Sequence, residues 1–301
     1  MITSRPYKNE TDFNLISEFL NETYLISSDQ INWSASRWQY LVHFVHPLNL
    51  MNGNEYWLKS IRIWEDNNKI VGVVSYEDKG SIFIQRHPYY PELNEQMILW
   101  AEKNLSFTDE NGIKKIELWI NDNDKIKKDI VSSKGYKKHD DFEYLRWHDL
   151  EKIDTFSLPS EYEISSLDIF KNIESKCKAI IKAFNSSGLP LELYHSMQSA
   201  PLYNPALDIV ILNKNKEVIA CGTTWFNPKT QTCYIEPMAT LPEYQGKGLG
   251  KIVLLESLHR SKKLGAKKAF VGSYGHTTGA FYASCGFIQF EPYYHWVKIF
   301  E

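Results

Sequence analysis

The stretch LPEYQGKGLGKIVLLESL, Leu241–Leu258, sets three glycines at alternate positions, Gly246, Gly248 and Gly250, directly ahead of a leucine-rich run with charges on one side. Glycine has no Cβ, so main-chain N–H groups there can approach a ligand without obstruction. A helix beginning just behind them adds N–H groups without intrahelical partners and the positive end of its dipole. The combination describes an anion site, and Lys247 and Lys251 flank it with positive charge suited to a pyrophosphate. The helix is expected from Gly248 to about Leu264, with Gly265 as its C-terminal cap.

Three kinds of phosphate loop compete for this stretch. A Walker loop needs a hydroxyl after its Gly-Lys pair, and Gly250-Lys251 is followed by Ile252. A dinucleotide loop needs GxGxxG and, about 20 residues later, an acidic side chain at a strand end. Here Lys251 stands where the third glycine belongs, and the later segment reads Ala269-Phe270-Val271-Gly272. The third pattern, Gln245-x-x-Gly248-x-Gly250, fits in its context: a strand ending in EPMAT, a Pro-Glu-Tyr turn and a helix. Downstream, GAFYASCGF sets a tyrosine on a short helix that ends in Gly-Phe before a last strand.

These two linked signatures resemble those of the GNAT superfamily of acetyl-CoA-dependent N-acetyltransferases. The resemblance implies an α/β fold of the α+β kind, with a mixed, mostly antiparallel sheet flanked by helices. It also implies acetyl-CoA as co-substrate, no metal, and transfer of the acetyl group to a primary amine of a small-molecule acceptor within a ternary complex. On the same resemblance, amides of Gly246, Lys247, Gly248, Leu249, Gly250 and Lys251 hold the pyrophosphate, while Gln245 shapes the mouth of the loop. Main-chain groups of Met238, Ala239 and Thr240 pair with the pantetheine arm and polarise the acetyl carbonyl.

An alkyl amine titrates near about 10, so its attack at neutral pH needs a base, and the departing thiolate needs a proton. Glu236, on the strand before the loop and facing the gap that the family opens there, is the candidate base, directly or through a water relay. Tyr282 matches the family's tyrosine that protonates the thiolate. Their plainer readings are a surface glutamate beside a proline and a packed aromatic. Where the family often has an asparagine ahead of that tyrosine, this chain has Gly275, and His276 beside it is the candidate substitute for the cofactor contact.

Working outward, the second half is expected to hold a strand at Tyr162–Ser165, helices at Asp168–Phe184 and Leu191–Ser199, and strands at Leu207–Leu212, Glu217–Phe226 and Thr232–Thr240. After the glycine-marked helix come a strand at Lys268–Gly272, a short helix at Thr277–Ser284 and a strand at Ile288–Ile299. The first half repeats this order: a strand at Ile2–Tyr7, helices at Glu10–Tyr24 and Ser36–Val45, and strands at Trp57–Trp64, Lys69–Tyr76 and Ser81–Gln85. A helix at Glu92–Leu105, a strand at Lys114–Ile120, a helix at Lys125–Ser133 and a strand at Phe142–His148 complete it.

Three local echoes share nearly one offset: Ile70 with Val218, Lys115 with Lys268, and Gly135 with Gly286. Chance similarity would scatter in spacing, so the chain reads as two tandem GNAT-like domains. The expected boundaries are residues 1–150, a linker at 151–160, and 161–301. In the first domain the segment aligned with the glycine loop, IQRHPYYPELNEQMILW, has no glycine, and Tyr89, Tyr90 and Pro91 fill the phosphate position. That domain is therefore expected to keep the fold and to lack cofactor binding.

Composition agrees with an ordinary globular chain of two domains: 301 residues, 43% hydrophobic and 24% charged. A net charge of -3 gives no basic footprint, which argues against nucleic acid as a partner. The four cysteines form no CxxC pair and have no histidines at zinc spacing, so they are expected reduced and buried. No basic leader and no long apolar run is visible, and the expectation is a cytoplasmic protein without membrane contact, monomeric or homodimeric. Nine tryptophans and eighteen tyrosines invite an aromatic acceptor pocket around Trp225 and Tyr274, but such residues serve more often in sheet cores. A non-catalytic acyl-CoA-binding or sensing protein is the alternative function, and the joint presence of Glu236 and Tyr282 favours the enzyme.

Overall fold

The structure, a computed structural model, describes all residues except 9, 29, 30, 52, 54–59, 78–80 and 187. The chain falls into two units, the first formed by Met1–Leu41, Val45–Leu145 and Glu291–Glu301, the second by Val42–Phe44 and Arg146–Phe290. In chain order the elements are β1 (Thr3–Pro6), α1 (Glu10–Ser27), α2 (Ala35–Tyr40), α3 (His46–Met51), β2 (Arg62–Asp66), β3 (Lys69–Tyr76) and β4 (Ile82–Arg86). There follow α4 (Leu93–Leu105), β5 (Phe107–Thr108), β6 (Lys114–Asn121), α5 (Lys125–Ser133), β7 (Lys137–Asp149), β8 (Glu163–Ser166), α6 (Leu167–Phe170), α7 (Ile173–Phe184) and α8 (Leu191–Gln198). The last are β9 (Asp208–Leu212), β10 (Val218–Asn227), β11 (Thr232–Thr240), α9 (Leu249–Lys263), β12 (Lys268–Tyr274), α10 (Gly275–Ser284) and β13 (Gln289–Ile299). The strand expected at Trp57–Trp64 begins at Arg62, and residues 57–59 lie outside the described ones.

In the first unit β1, β2, β3 and β4 pair antiparallel in order, β4 meets β6 in parallel, and β6 pairs antiparallel with β13. β3 lies inside this sheet and reads KIVGVVSY, with every residue after Lys69 buried. Trp64, Val74, Met97, Leu118 and Trp296 belong to the core beneath it. The final strand was expected with the second domain, whereas its residues from Glu291 belong to the first unit. Its register, Tyr293 opposite Asn121 through Ile299 opposite Lys115, is fixed by cross-strand contacts: His295 stacks on Trp119 at 4.7 Å and its Nε2 lies 3.1 Å from Glu117.

β4 and β6 pair only at Ile82 and Leu118. Beyond that point the main chain of β4 is satisfied by side chains. The His87 amide donates to Val71 on the β3 side, so Ile84 and Arg86 face the other way. Lys127 donates to the Ile84 carbonyl at 3.1 Å, and Asn32 both accepts from the Arg86 amide at 2.9 Å and donates to its carbonyl at 2.7 Å. Lys127 pairs with Asp124 at 3.0 Å, and the two side chains are 3% and 1% exposed. Burial pushes the Asp124 carboxyl up, but the Lys127 charge and hydrogen bonds outweigh this and hold it below the usual range.

In the second unit β8, β9, β10 and β11 pair antiparallel in order and β11 meets β12 in parallel, so both units carry mixed, mostly antiparallel sheets flanked by helices. The helix expected at Asp168–Phe184 is two, because Lys171 takes a left-handed φ of 56° and Asn172 caps α7 by accepting from the Ser175 amide at 3.0 Å. Gly265, at φ 102°, closes α9, and the Ala266 amide reaches back to Ser261 at 3.0 Å. Residues 151–160, expected as a linker, form no helix or strand and strap across α9. Ile153 and Phe156 pack on the core there, and Lys262 donates to the Glu151 carbonyl at 2.6 Å. All four cysteines are buried and unbridged. Among the described residues no helix is long and apolar enough to cross a membrane.

Removing one partner of a buried pair strands the other charge. Lys127→Ala is therefore expected to lose about 3 kcal/mol in urea unfolding, while Lys178→Ala, at an exposed pair with Glu174, leaves the urea midpoint unchanged.

Candidate functional site

β11 and β12 pair over three residues only, Thr232–Tyr234 against Lys268–Phe270, and then part. On its other side β11 stays on β10, with one irregularity: Met238 opposes Gly222 and Ile235 opposes Thr224, leaving Glu236 and Pro237 across from Thr223 alone. This is a β-bulge, which bends a strand and re-aims its side chains. Pro237 suits it, having no amide to place in a ladder. The Trp225 indole N–H donates to the Glu236 carbonyl at 2.7 Å and fixes the bulge from within. Past the bulge, the Leu241 amide donates to Ile219 on the β9 and β10 side of β11, so by alternation the main chains of Met238 and Thr240 face the gap.

The glycine loop follows at once. Pro242–Tyr244 make one 3₁₀ turn, and the exposed Gln245 donates from its side chain to the Thr240 carbonyl at 3.2 Å, tying the loop to the end of β11. Gly246 and Gly248 take φ of 75° and 77°, the left-handed region that side chains with a Cβ resist. Gly248 is the N-cap of α9 and offers no side-chain cap. Among the described residues none of the six amides from Gly246 to Lys251 donates to a protein acceptor, and residues 246–248 are exposed. Leu249 anchors the turn in the core at 1% exposure. At Gly250 an added Cβ would stand 3.2 Å from Thr240 Oγ1 and 3.5 Å from the Phe281 ring, so the helix start is drawn tightly against β11 and α10.

The two lysines part ways. Lys247 is exposed, with its ammonium 4.7 Å from the centre of the Tyr244 ring. Lys251 donates to the Ser284 carbonyl at 2.8 Å and lies 3.6 Å from Asp154, so its side chain clasps the end of α10 and only its amide belongs to the loop.

Tyr282 sits on the inner face of α10 at 7% exposure, edge-on to Phe281 and Phe287 at 5.1 and 5.9 Å. Burial pushes its hydroxyl well above the usual tyrosine range, and the negative charge of Glu236 pushes the same way. The phenol therefore stays protonated at neutral pH, and Glu236, half-buried, lies near enough to act on it electrostatically. Met238 and Thr240 are half-buried and Ala239 is buried. His276 is exposed on the first turn of α10 and makes no hydrogen bond or ion pair among the described residues. Trp225 is wholly buried and Tyr274 is 57% exposed, so they line no common pocket.

Sequence reasoning missed what lies behind the bulge. Asp208, wholly buried at the start of β9, accepts from Lys176, Tyr194, Tyr203 (2.7 Å) and Thr223 (3.1 Å). The only local signal is a polar residue heading the apolar strand DIVIL.

The sequence model for the acetyltransferase (GNAT) family matches residues 147–287. No curated protein matches the chain. Among solved structures, a GCN5-related N-acetyltransferase from Sphaerobacter thermophilus aligns at TM-score 0.65 and 12% identity, covering 99% of this chain and 95% of that one. A tandem GNAT protein from the clavulanic acid biosynthesis pathway aligns at TM-score 0.64 and 10% identity, covering 99% and 98%. A GNAT-family acetyltransferase from Colwellia psychrerythraea aligns at TM-score 0.61 and 10% identity, covering 99% and 100%. At such identities these show the fold, which is that of tandem GNAT proteins along the whole chain, and the family match adds that residues 147–287 are an acetyltransferase (GNAT) domain, which makes the chain an acyltransferase.

Proposed function

We propose that the second unit transfers an acetyl group from acetyl-CoA to a primary amine of a small acceptor, by direct attack with both substrates bound. The observation that carries this reading is the parted edge of β11, running from the Glu236 bulge into six unpartnered amides at Gly246–Lys251, with Tyr282 beside it. The amides and the dipole of α9 suit the pyrophosphate, and the Met238 and Thr240 main chains suit the amides of the pantetheine arm. The exposed Lys247 adds charge at the loop, whereas His276 has nothing to orient it toward a cofactor.

In this reading Glu236 takes a proton from the acceptor ammonium, directly or through water. Glu236 passes that proton to solvent, the freed nitrogen forms its bond to the thioester carbon, and main-chain N–H groups near Met238 steady the charge on the carbonyl oxygen; the nitrogen then gives its second proton to water as the carbon–sulfur bond breaks. Tyr282 gives its proton to the leaving sulfur and recovers one from solvent, so the products are an amide and free CoA thiol. The first unit takes no part in cofactor binding: the edge of β4 that corresponds to the open edge of β11 is closed by Lys127 and Asn32, and Tyr89–Leu93 offer no glycine.

Calorimetry is expected to find one CoA bound per chain; absence of binding would sink the reading. Thiol release is expected with acetyl-CoA and a panel of amines, and Tyr282→Phe should lose about a hundredfold in kcat while CoA affinity holds. Because burial raises the Tyr282 pKa, its proton is present throughout neutral pH, and no alkaline fall in kcat is expected below about pH 10. Gly248→Val, which forces a β-branched residue to positive φ at the loop, should weaken CoA binding about tenfold or more.

A further inference from the structure

We infer that the buried cluster of Lys176, Asp208, Tyr194 and Tyr203 is a positioning device for the acyl-transfer site, acting through Trp225 on the β11 bulge. This rests on the proposed reaction, and it names residues that no motif of the sequence marks.

The geometry runs through three neighbouring strands. Asp208 on β9 stands directly opposite Thr223 on β10, and Thr223 is the one β10 residue facing the two bulged residues Glu236 and Pro237. Lys176, from α7, donates to Asp208 and, at 2.9 Å, to Thr223 Oγ1, while Thr223 donates back to Asp208 at 3.1 Å. Tyr194 from α8 and Tyr203 place their hydroxyls on the other carboxylate oxygen. Tyr203 also stands edge-on to Trp225, with ring centres 6.1 Å apart, and Trp225 holds the Glu236 carbonyl. Thus the carboxylate grips β10 at Thr223, and Tyr203 braces the ring two residues further on, whose N–H sets the bulge.

Lys176, Asp208 and Thr223 are wholly buried, so none of them can meet a substrate; their effect on chemistry passes through the backbone that carries Glu236. A base works only at the right distance from its proton, and a shift of about 1 Å costs up to about a hundredfold in rate. The bulge leaves cofactor affinity to other groups, namely the glycine loop and the outer main chain of β11. The device should therefore act on kcat and spare acetyl-CoA binding.

Removing Asp208 strands a buried ammonium, so the decisive variants are milder. Trp225→Phe deletes the N–H, and Tyr203→Phe deletes the tether to Asp208 while keeping a ring against Trp225. With acetyl-CoA and an accepted amine, kcat is expected to fall about tenfold in Trp225→Phe and about threefold in Tyr203→Phe, with KM for acetyl-CoA within about twofold of wild type. Amide hydrogen exchange at Ile235 and Glu236 should quicken in Trp225→Phe while the rest of the unit, Met238–Thr240 included, keeps its protection. An unchanged kcat in an active enzyme, or a KM for acetyl-CoA that rises in step with the loss of kcat, overturns the proposal. A wild-type chain that acetylates no amine condemns the reaction reading instead; in that case the exchange at Ile235 and Glu236 decides alone, quickened exchange supporting the positioning role and unchanged exchange overturning it.

Discussion

Beyond Tyr234 and Phe270 two parallel strands part, and the main-chain groups of β11 past that point must find partners other than a strand, because a buried N–H or C=O left alone costs about as much as a lost hydrogen bond. Everything at the candidate site answers to this requirement. The bulge at Glu236 and Pro237 turns β11 outward, Gln245 takes the Thr240 carbonyl, and the loop continues as a row of amides that the protein itself does not satisfy. An exposed row of amides at a helix start suits an external chain of acceptors, which is what a pantetheine arm and its pyrophosphate supply in the proposed reaction.

The first unit meets the same requirement from inside. Its β4 and β6 also part after one pair, but Lys127 and Asn32 bring side-chain donors and an acceptor to the main chain of β4. Lys127 comes with Asp124 as its counter-ion, and a buried pair is tolerated because both partners are further bonded: Asp124 also caps α5 by accepting from the Lys127 amide at 3.1 Å. Two units of one architecture thus differ in whether the strand edge is consumed internally. Where the second unit has its glycine loop the first has Tyr89-Tyr90-Pro91, and the amides of Tyr89 and Tyr90 donate to the His87 ring and carbonyl within the chain.

The elements that depend on local sequence were legible. β3, α5 and β11 have the expected ends, because a short apolar run behind a polar turn, an N-cap aspartate and a clear turn mark them. The glycine loop was legible for the same reason: its backbone demand is met by residues adjacent in the chain. What escaped depends on partners far away. β13 belongs to the first unit through contacts with β6 that lie about 175 residues upstream, and no local pattern in QFEPYYHWVKI names that partner. The helix break at Lys171 escaped because a left-handed lysine has no compositional mark. Lys176 escaped most completely, since in IESKCKAIIKAF it looks like one more solvated lysine beside Lys178 and Lys182, yet it is the one that turns inward.

That inward lysine bears on why the site can be so open. Packed hydrophobic residues would serve stability at least as well as a buried ion pair, so the value of Lys176 and Asp208 lies in what they specify. A carboxylate accepting from four donors on α7, α8, the segment before β9, and β10 has one satisfying arrangement, and slipping β10 by a residue would carry Thr223 to the opposite face and leave its partners unpaired. The register of β9 on β10 is thereby pinned at the level where β10 must accommodate two residues of β11 against one of its own. A bulge weakens the ladder locally, and a strand edge without a partner weakens it further. Polar groups with a single solution beneath that point keep the backbone of Glu236 in one place while the outer edge stays free to receive a ligand.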